Sequence, residues 1–151
     1  MSTQTSVYLD DLAIGMKFRS GEHAMDEEQI ISFARQFDPQ VFHLDAEAAK
    51  DTFFQGLAAS GWHTAAITMK LLVGSLEFSQ GIIGAGGQMD WPRPTRPNDV
   101  LHVVSTILDI QPSRSRADRG IVTVESLTMN QDGELCQRLT AKLIAFRRPE
   151  A

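Results

Sequence analysis

The sequence has a single cysteine, Cys136, so it can form neither an intrachain disulfide nor a multi-cysteine zinc site. A reducing compartment suits such a chain. Long apolar runs are also missing, and no window approaches the ~18–20 uninterrupted apolar residues of a membrane span. The start, Met1-Ser-Thr-Gln-Thr-Ser, has neither the basic residues nor the apolar stretch of a secretion signal, so the expectation is a cytoplasmic protein with no membrane partner. Positive charge is not clustered. The net charge is −5 and the arginines are spread through the later part of the chain, which argues against nucleic acid. A phosphorylated ligand stays open, because a local cationic group can oppose the global sign. The four histidines, His23, His43, His63 and His102, lack the i, i+4 pairing of a zinc helix, and no metal site is expected.

What is present is an ordinary globular composition, with 42% apolar and 22% charged residues. At 151 residues, without repeats or a linker, the chain reads as one domain over 1–151 that can bury a core unaided. A strand is expected over Met16 to Ala24. Asp26 then reads as a helix cap with Gln29 in the reciprocal capping-box position, and Ile30, Ile31, Phe33, Ala34 and Phe37 recur at helical spacing as one buried face. Pro39 should end that helix at Asp38. Asp45 can cap a second short helix, Ala46 to Lys50.

The longest helical candidate runs from Gly61 to about Phe78. Its apolar residues Trp62, Ala65, Ala66, Met69, Leu72, Val73 and Leu76 cover an arc wide enough to predict deep burial. Strands are expected over Gly87 to Trp91, Val100 to Ile110, Ile121 to Asn130 and Glu134 to Arg147, with a turn at Asn130-Gln-Asp-Gly133. Gly84-Ala-Gly-Gly87 reads as a strand-entry turn. Helices first and hairpin-linked strands afterwards predict an α+β fold with an antiparallel sheet. A sheet around one buried helix leaves little room inside, so a ligand groove is expected at the sheet edge or between subunits.

Two segments can carry chemistry. Phe37-Asp-Pro-Gln-Val-Phe-His-Leu-Asp45 packs two acids and a histidine into a short stretch. Asp38 and His43 can form a dyad that divides proton transfers. They can equally be parts of a solvated loop, with Asp45 an N-cap. Gly56-Leu-Ala-Ala-Ser-Gly-Trp-His-Thr64 leads into the long helix, where free N–H groups favour a developing oxyanion. Gly61 would let a ligand approach closely, while Ser60 alone can explain the segment as a cap. Arg114, Arg116 and Arg119 form a loop that is either solvated or meets phosphates.

Taken in order, these segments resemble the MaoC-like dehydratases, also called (R)-specific enoyl-CoA hydratases. The family spaces an Asp, a His five residues on and an Asp two further, as Asp38, His43 and Asp45 do. Its central helix opens with His-Gly, where this chain has Ser60-Gly61. Trp91-Pro-Arg-Pro-Thr-Arg-Pro-Asn-Asp-Val-Leu101 is similar to the family's aromatic–Pro–Asp strand entry. The resemblance spans roughly residues 8 to 147 and implies a hot-dog fold, a long helix wrapped by an antiparallel sheet, in a homodimer or dimer of dimers.

It also implies an acyl thioester of coenzyme A as substrate, coenzyme A entering as part of the substrate and no other cofactor being needed. Asp38 and His43 would activate one water, the Gly61 amide would polarise the thioester carbonyl, and Phe42, Ser60, Trp62, His63 and Thr64 would bind substrate. Two departures stand out. Ser60 replaces the usual His, and Met69 stands where some members carry a serine near the water, a contact either absent or supplied by His63, Thr64 or Thr68. A non-catalytic acyl-CoA-binding subunit and an acyl-CoA thioesterase are the alternatives on the same fold.

Overall fold

Alternating burial along two long strands organises the molecule, which is a computed structural model describing residues 6–150. In β3 (Val100–Pro112) Leu101, Val103, Ser105 and Ile107 face inward, and in β4 (Arg119–Met129) Val122, Val124, Ser126 and Thr128 do so. This is the period of two that a half-buried antiparallel sheet requires. With β1 (Lys17–Ala24), β2 (Ile83–Asp90) and β5 (Leu135–Phe146) they make one antiparallel sheet in the order β1-β3-β4-β5-β2. Asn130 to Gly133 turn the chain from β4 to β5, Gly133 at φ 74°.

The helices α1 (Glu27–Phe37), α2 (Val41–Leu44) and α3 (Gly61–Ser75) lie between β1 and β2 in sequence. α3 rests on the inner face of the sheet, its Ile67, Leu71 and Leu72 joining Leu101, Val103, Ile107, Val122 and Val124 in the core. This is the α+β hot-dog arrangement. No helix among the described residues is long and apolar enough to cross a membrane.

Several expectations need correction. α3 stops at Ser75, because residues 77–79 are drawn away to pair with Val7: Val7 donates to the Glu77 carbonyl and Ser79 to that of Val7. Its buried face is also not the one expected. His63, Thr64, Ile67, Thr68, Leu71 and Leu72 point inward, while Trp62 (64% exposed), Met69 and Val73 (60%) form an outward stripe. In α1 only Ile30 and Ala34 are fully buried and Phe37 is 68% exposed. Asp26 caps α1 through Gln29 N–H, but the Gln29 amide turns to Ala24 and His23 instead of completing a capping box.

Residues 41–44 form the helical turn α2, in the segment that one reading makes a solvated loop. The predicted helix over Ala46 to Lys50 is a 3₁₀ turn at Ala48–Asp51, led by Asp45 Oδ1 accepting from Glu47 and Ala48. Gly84 to Gly87 lie inside β2, which begins earlier than expected. A bulge falls between Gly84 and Gly86, and a Cβ on Gly87 would stand 2.7 Å from the Thr140 carbonyl of β5.

The helix–sheet interface is partly polar and internally satisfied. Thr68 Oγ1 donates to the Thr64 carbonyl at 2.8 Å, lies 2.6 Å from Thr128 Oγ1 and accepts from Gln137 Nε2 at 3.1 Å, all buried. Such groups rigidify a core only while every partner is present. Thr68→Val keeps the shape but strips Thr128 and Gln137 of a shared partner. It should cost about 1–3 kcal/mol, read as a lower denaturant midpoint at unchanged m-value. Parental stability in the variant would contradict this account.

Candidate active site

The end of α1 is set by Pro39, and that end creates the site. Asp38 donates its N–H to the Ala34 carbonyl and then leaves helical geometry at φ −156°, ψ 68°. The Gln40 side-chain amide donates to Asp38 Oδ1. One turn later α2 buries the His43 ring with Nε2 3.2 Å from Asp38 Oδ2.

The other ring nitrogen, Nδ1, lies 2.6 Å from the Ala58 carbonyl. A carbonyl only accepts, so Nδ1 carries a proton. In the neutral ring Nε2 is therefore a lone pair beside a carboxylate oxygen. That pair is complementary to a water donating an O–H to each, or to one extra proton on the ring. Ala58 N–H in turn donates to the Phe42 carbonyl at 3.0 Å, so α2 and residue 58 are locked on both sides. Burial pushes the Asp38 carboxyl up, but hydrogen bonds from Gln40 and Ser60, joined by His43 whenever its ring is protonated, outweigh it and hold it below its ordinary value. Asp38 is thus ionised at neutral pH.

The Ser60 side chain caps α3 by accepting from Trp62 N–H at 3.2 Å, and Ser60 is fully buried. The Gly61 N–H finds no acceptor among the described residues, and sits where the helix end favours negative charge. A Cβ at Gly61 would stand 2.8–3.0 Å from the Trp91 indole, which is why glycine is needed there.

Asp38, His43, Gly61, Trp62 and Thr64 line one cavity of ≈ 480 Å³, together with Phe53, Phe54, Trp91, Arg93 and Thr95. The remaining proposed site residues lie outside its lining. Phe42 meets the His43 ring edge-on at 4.6 Å and Phe54 at 4.9 Å, so it supports the histidine from behind. Asp45 caps the following turn.

His63 points away from the cavity, stacked on Phe33 at 4.6 Å and 5° between planes, its Nδ1 buried without a partner among the described residues. Thr68 serves the interior network, and Met69 lines a separate groove beside Gly84, Gly86 and Gly87. Of the three stand-ins for the missing serine, only Thr64 reaches the cavity, its hydroxyl donating to Thr95 at 3.0 Å. Arg114 and Arg119 line a cleft at the β3–β4 hairpin instead, and Arg119 pairs with Asp118. Among the described residues no three His, Cys, Asp or Glu side chains gather to hold a metal.

Arg96 escaped residue-by-residue reading. Its guanidinium donates to the carbonyls of Phe54, Gly56 and Leu57, holding the loop that carries Phe53 and Phe54 to the cavity. Asn98, in the left-handed region at φ 71°, turns the chain so that Asp99 accepts from Arg96 N–H at 2.8 Å. The only signal was the density of proline and arginine between Trp91 and Asn98.

Comparison with known proteins follows the same geometry. Residues 11–130 match the family model described as MaoC like domain. The uncharacterized protein YdeM of Bacillus subtilis (strain 168) is 37% identical over 126 residues, covering 82% of this chain and 87% of its own. The crystal structure of the MaoC-like dehydratase from Rhodospirillum rubrum superposes with a TM-score of 0.95 at 58% identity, covering 96% of this chain and 100% of that one. The R-hydratase PhaJ1 from Pseudomonas aeruginosa, unliganded, shares the fold at a TM-score of 0.78 and 24% identity, over 95% and 88%.

Burial pushes the His63 ring below its ordinary imidazole value, with His23 adding repulsion, and burial lowers His102 as well. The unfolded chain then takes protons that the folded one refuses, so stability is full above about pH 6.5 and falls as pH drops below it. Urea melts between neutral and mildly acid pH should show that slope, and His63→Phe should flatten it to the share of His102. An unchanged slope in the variant would contradict the burial of a neutral ring.

Proposed function

The chain belongs to the MaoC-like hydratase and dehydratase family, and from that premise we propose that it adds water across, or removes it to form, the 2,3 double bond of an acyl-CoA thioester. The observation that carries this reading is the convergence on one cavity of an Asp–His pair with Nε2 facing Asp38 and a helix N-terminal amide that has no acceptor among the described residues.

The chemistry needs two things. The thioester carbonyl must be polarised as C3 becomes electrophilic, and a water must lose one proton while C2 gains one. With Nδ1 held by Ala58, Nε2 is the base that accepts the proton of a water shared with Asp38. The ionised Asp38 stabilises the resulting imidazolium, and the same proton can pass from Nε2 to C2. One water is consumed, its hydroxyl bonding C3 and its proton C2. The Gly61 N–H and the dipole of α3 meet the enolate oxygen as charge develops on it. Dehydration is the same path reversed.

A second copy completes the assembly in this reading. β2 is an edge strand with one side unpaired, and the outward stripe of Trp62, Met69 and Val73 lies on the helix beside it. An open edge and an apolar stripe call for cover. Light scattering at micromolar concentration should give the mass of a dimer or a dimer of dimers, and a monomeric mass would contradict this.

Turnover is read as loss of enoyl absorbance with crotonyl-CoA and a panel of branched 2-enoyl-CoAs. Asp38→Asn or His43→Ala should lower kcat by at least ~100-fold, the scale of acid–base catalysis. Parental rates in a folded variant would remove the dyad. Free thiol released from saturated acyl-CoA would replace hydration with thioester hydrolysis, and binding without any turnover would leave a carrier subunit.

A further inference from the structure

Resting on that hydration reading, we propose that Trp91, seated by Gln137, sets the size of the acyl group and restricts the substrates to short-chain 2-enoyl thioesters. Trp91 follows directly on β2, and its ring crosses to the first turn of α3, so close that no Cβ fits on Gly61. The indole thus walls the cavity beside the backbone N–H assigned to the thioester carbonyl.

Its one polar atom is turned away. Nε1 donates to Gln137 Oε1 at 2.9 Å, and the fully buried Gln137 is anchored through Nε2 to Thr68 Oγ1 at 3.1 Å, itself paired with Thr128. With Nε1 engaged, the face offered to the cavity is carbon. The amide-bearing arm of coenzyme A would find no polar partner on this wall, whereas a hydrocarbon tail loses nothing by lying against it. Trp62 meets the ring at 5.7 Å and 77°, closing the corner. The cavity of ≈ 480 Å³ is bounded by both tryptophans, Phe53 and Phe54, and because the indole stands against the residue whose N–H is assigned to the carbonyl, a tail directed at it meets the wall within a few carbons of C1. Trp91 is the specificity residue, and Gln137 is a positioning residue acting through it.

The test compares kcat/KM for crotonyl-, 2-hexenoyl- and 2-octenoyl-CoA. The wild-type protein should favour the shortest. Trp91→Ala should raise the octenoyl-to-crotonyl ratio by about 10-fold or more, in line with the selectivity of one or more methylenes in an apolar pocket. Trp91→Phe and Gln137→Met each sever the same hydrogen bond. Trp91→Phe also shortens the wall, so both should shift the ratio in the same direction, mainly through KM, Gln137→Met by the smaller factor, and the double variant should shift it no further than Trp91→Phe alone. A Gln137 effect that was only structural would lower all three substrates alike.

A ratio unchanged in Trp91→Ala and Trp91→Phe, in protein whose turnover still depends on Asp38, would overturn the proposal and leave hydration standing. Wild-type preference for octenoyl-CoA would overturn it too. Absence of turnover with every enoyl-CoA would remove the hydration reading and this proposal together.

Discussion

The hydrogen bond from His43 Nδ1 to the Ala58 carbonyl is the contact on which the site depends. It sets the tautomer, so the nitrogen facing Asp38 has a lone pair to offer. It also ties α2 to the extended segment that leads into α3, and Ala58 N–H returns the tie through the Phe42 carbonyl. Two segments fifteen residues apart are thereby held in one geometry. Without that bond the ring could rotate or change tautomer, and the proximity of the two side chains would no longer define a base.

A second layer of polar contacts stands behind the first. Helix–sheet interfaces are usually apolar, but here Thr64, Thr68, Thr128 and Gln137 are buried in the middle of one. Each finds a partner, which keeps the cost of removing them from water low and makes their relative positions unique. The consequence reaches the cavity by two routes. Thr64 is bonded to Thr95, and Gln137 is bonded to Trp91, so the walls take their positions from the core and not from solvent. Arg96 does the same for the loop of Phe53 and Phe54, satisfying carbonyls that Gln55 and Gly56, both at positive φ, leave free. The rigid parts of the cavity are thus built by hydrogen bonds that point away from it.

The sequence by itself determined the fold class and the order of the main elements, and it marked the central pair only through a resemblance in spacing. Alternation in β3 and β4 needs only a sheet with one buried face, and the Pro39 stop needs only a missing N–H, so both are local and legible. Asp38 and His43 stand out by a spacing similar to the family's, and the fold brings them to 3.2 Å. Tertiary structure decided what local pattern leaves degenerate. The apolar residues of α3 cover so much of its circumference that periodicity could not say which side meets the sheet, and the side that does carries threonines and His63. Glycines in β2 read as a turn until a bulge and the close approach of β5 required them. Trp91, Arg96 and Gln137 lie far from Asp38 in the chain, and their roles arise only from tertiary contacts, Trp91 and Gln137 where β2, β5 and α3 converge and Arg96 at the loop of residues 54–57. A hydrogen bond between residues 46 apart, such as that of Trp91 with Gln137, leaves no periodic trace in the sequence, because only the folded sheet brings its two ends together.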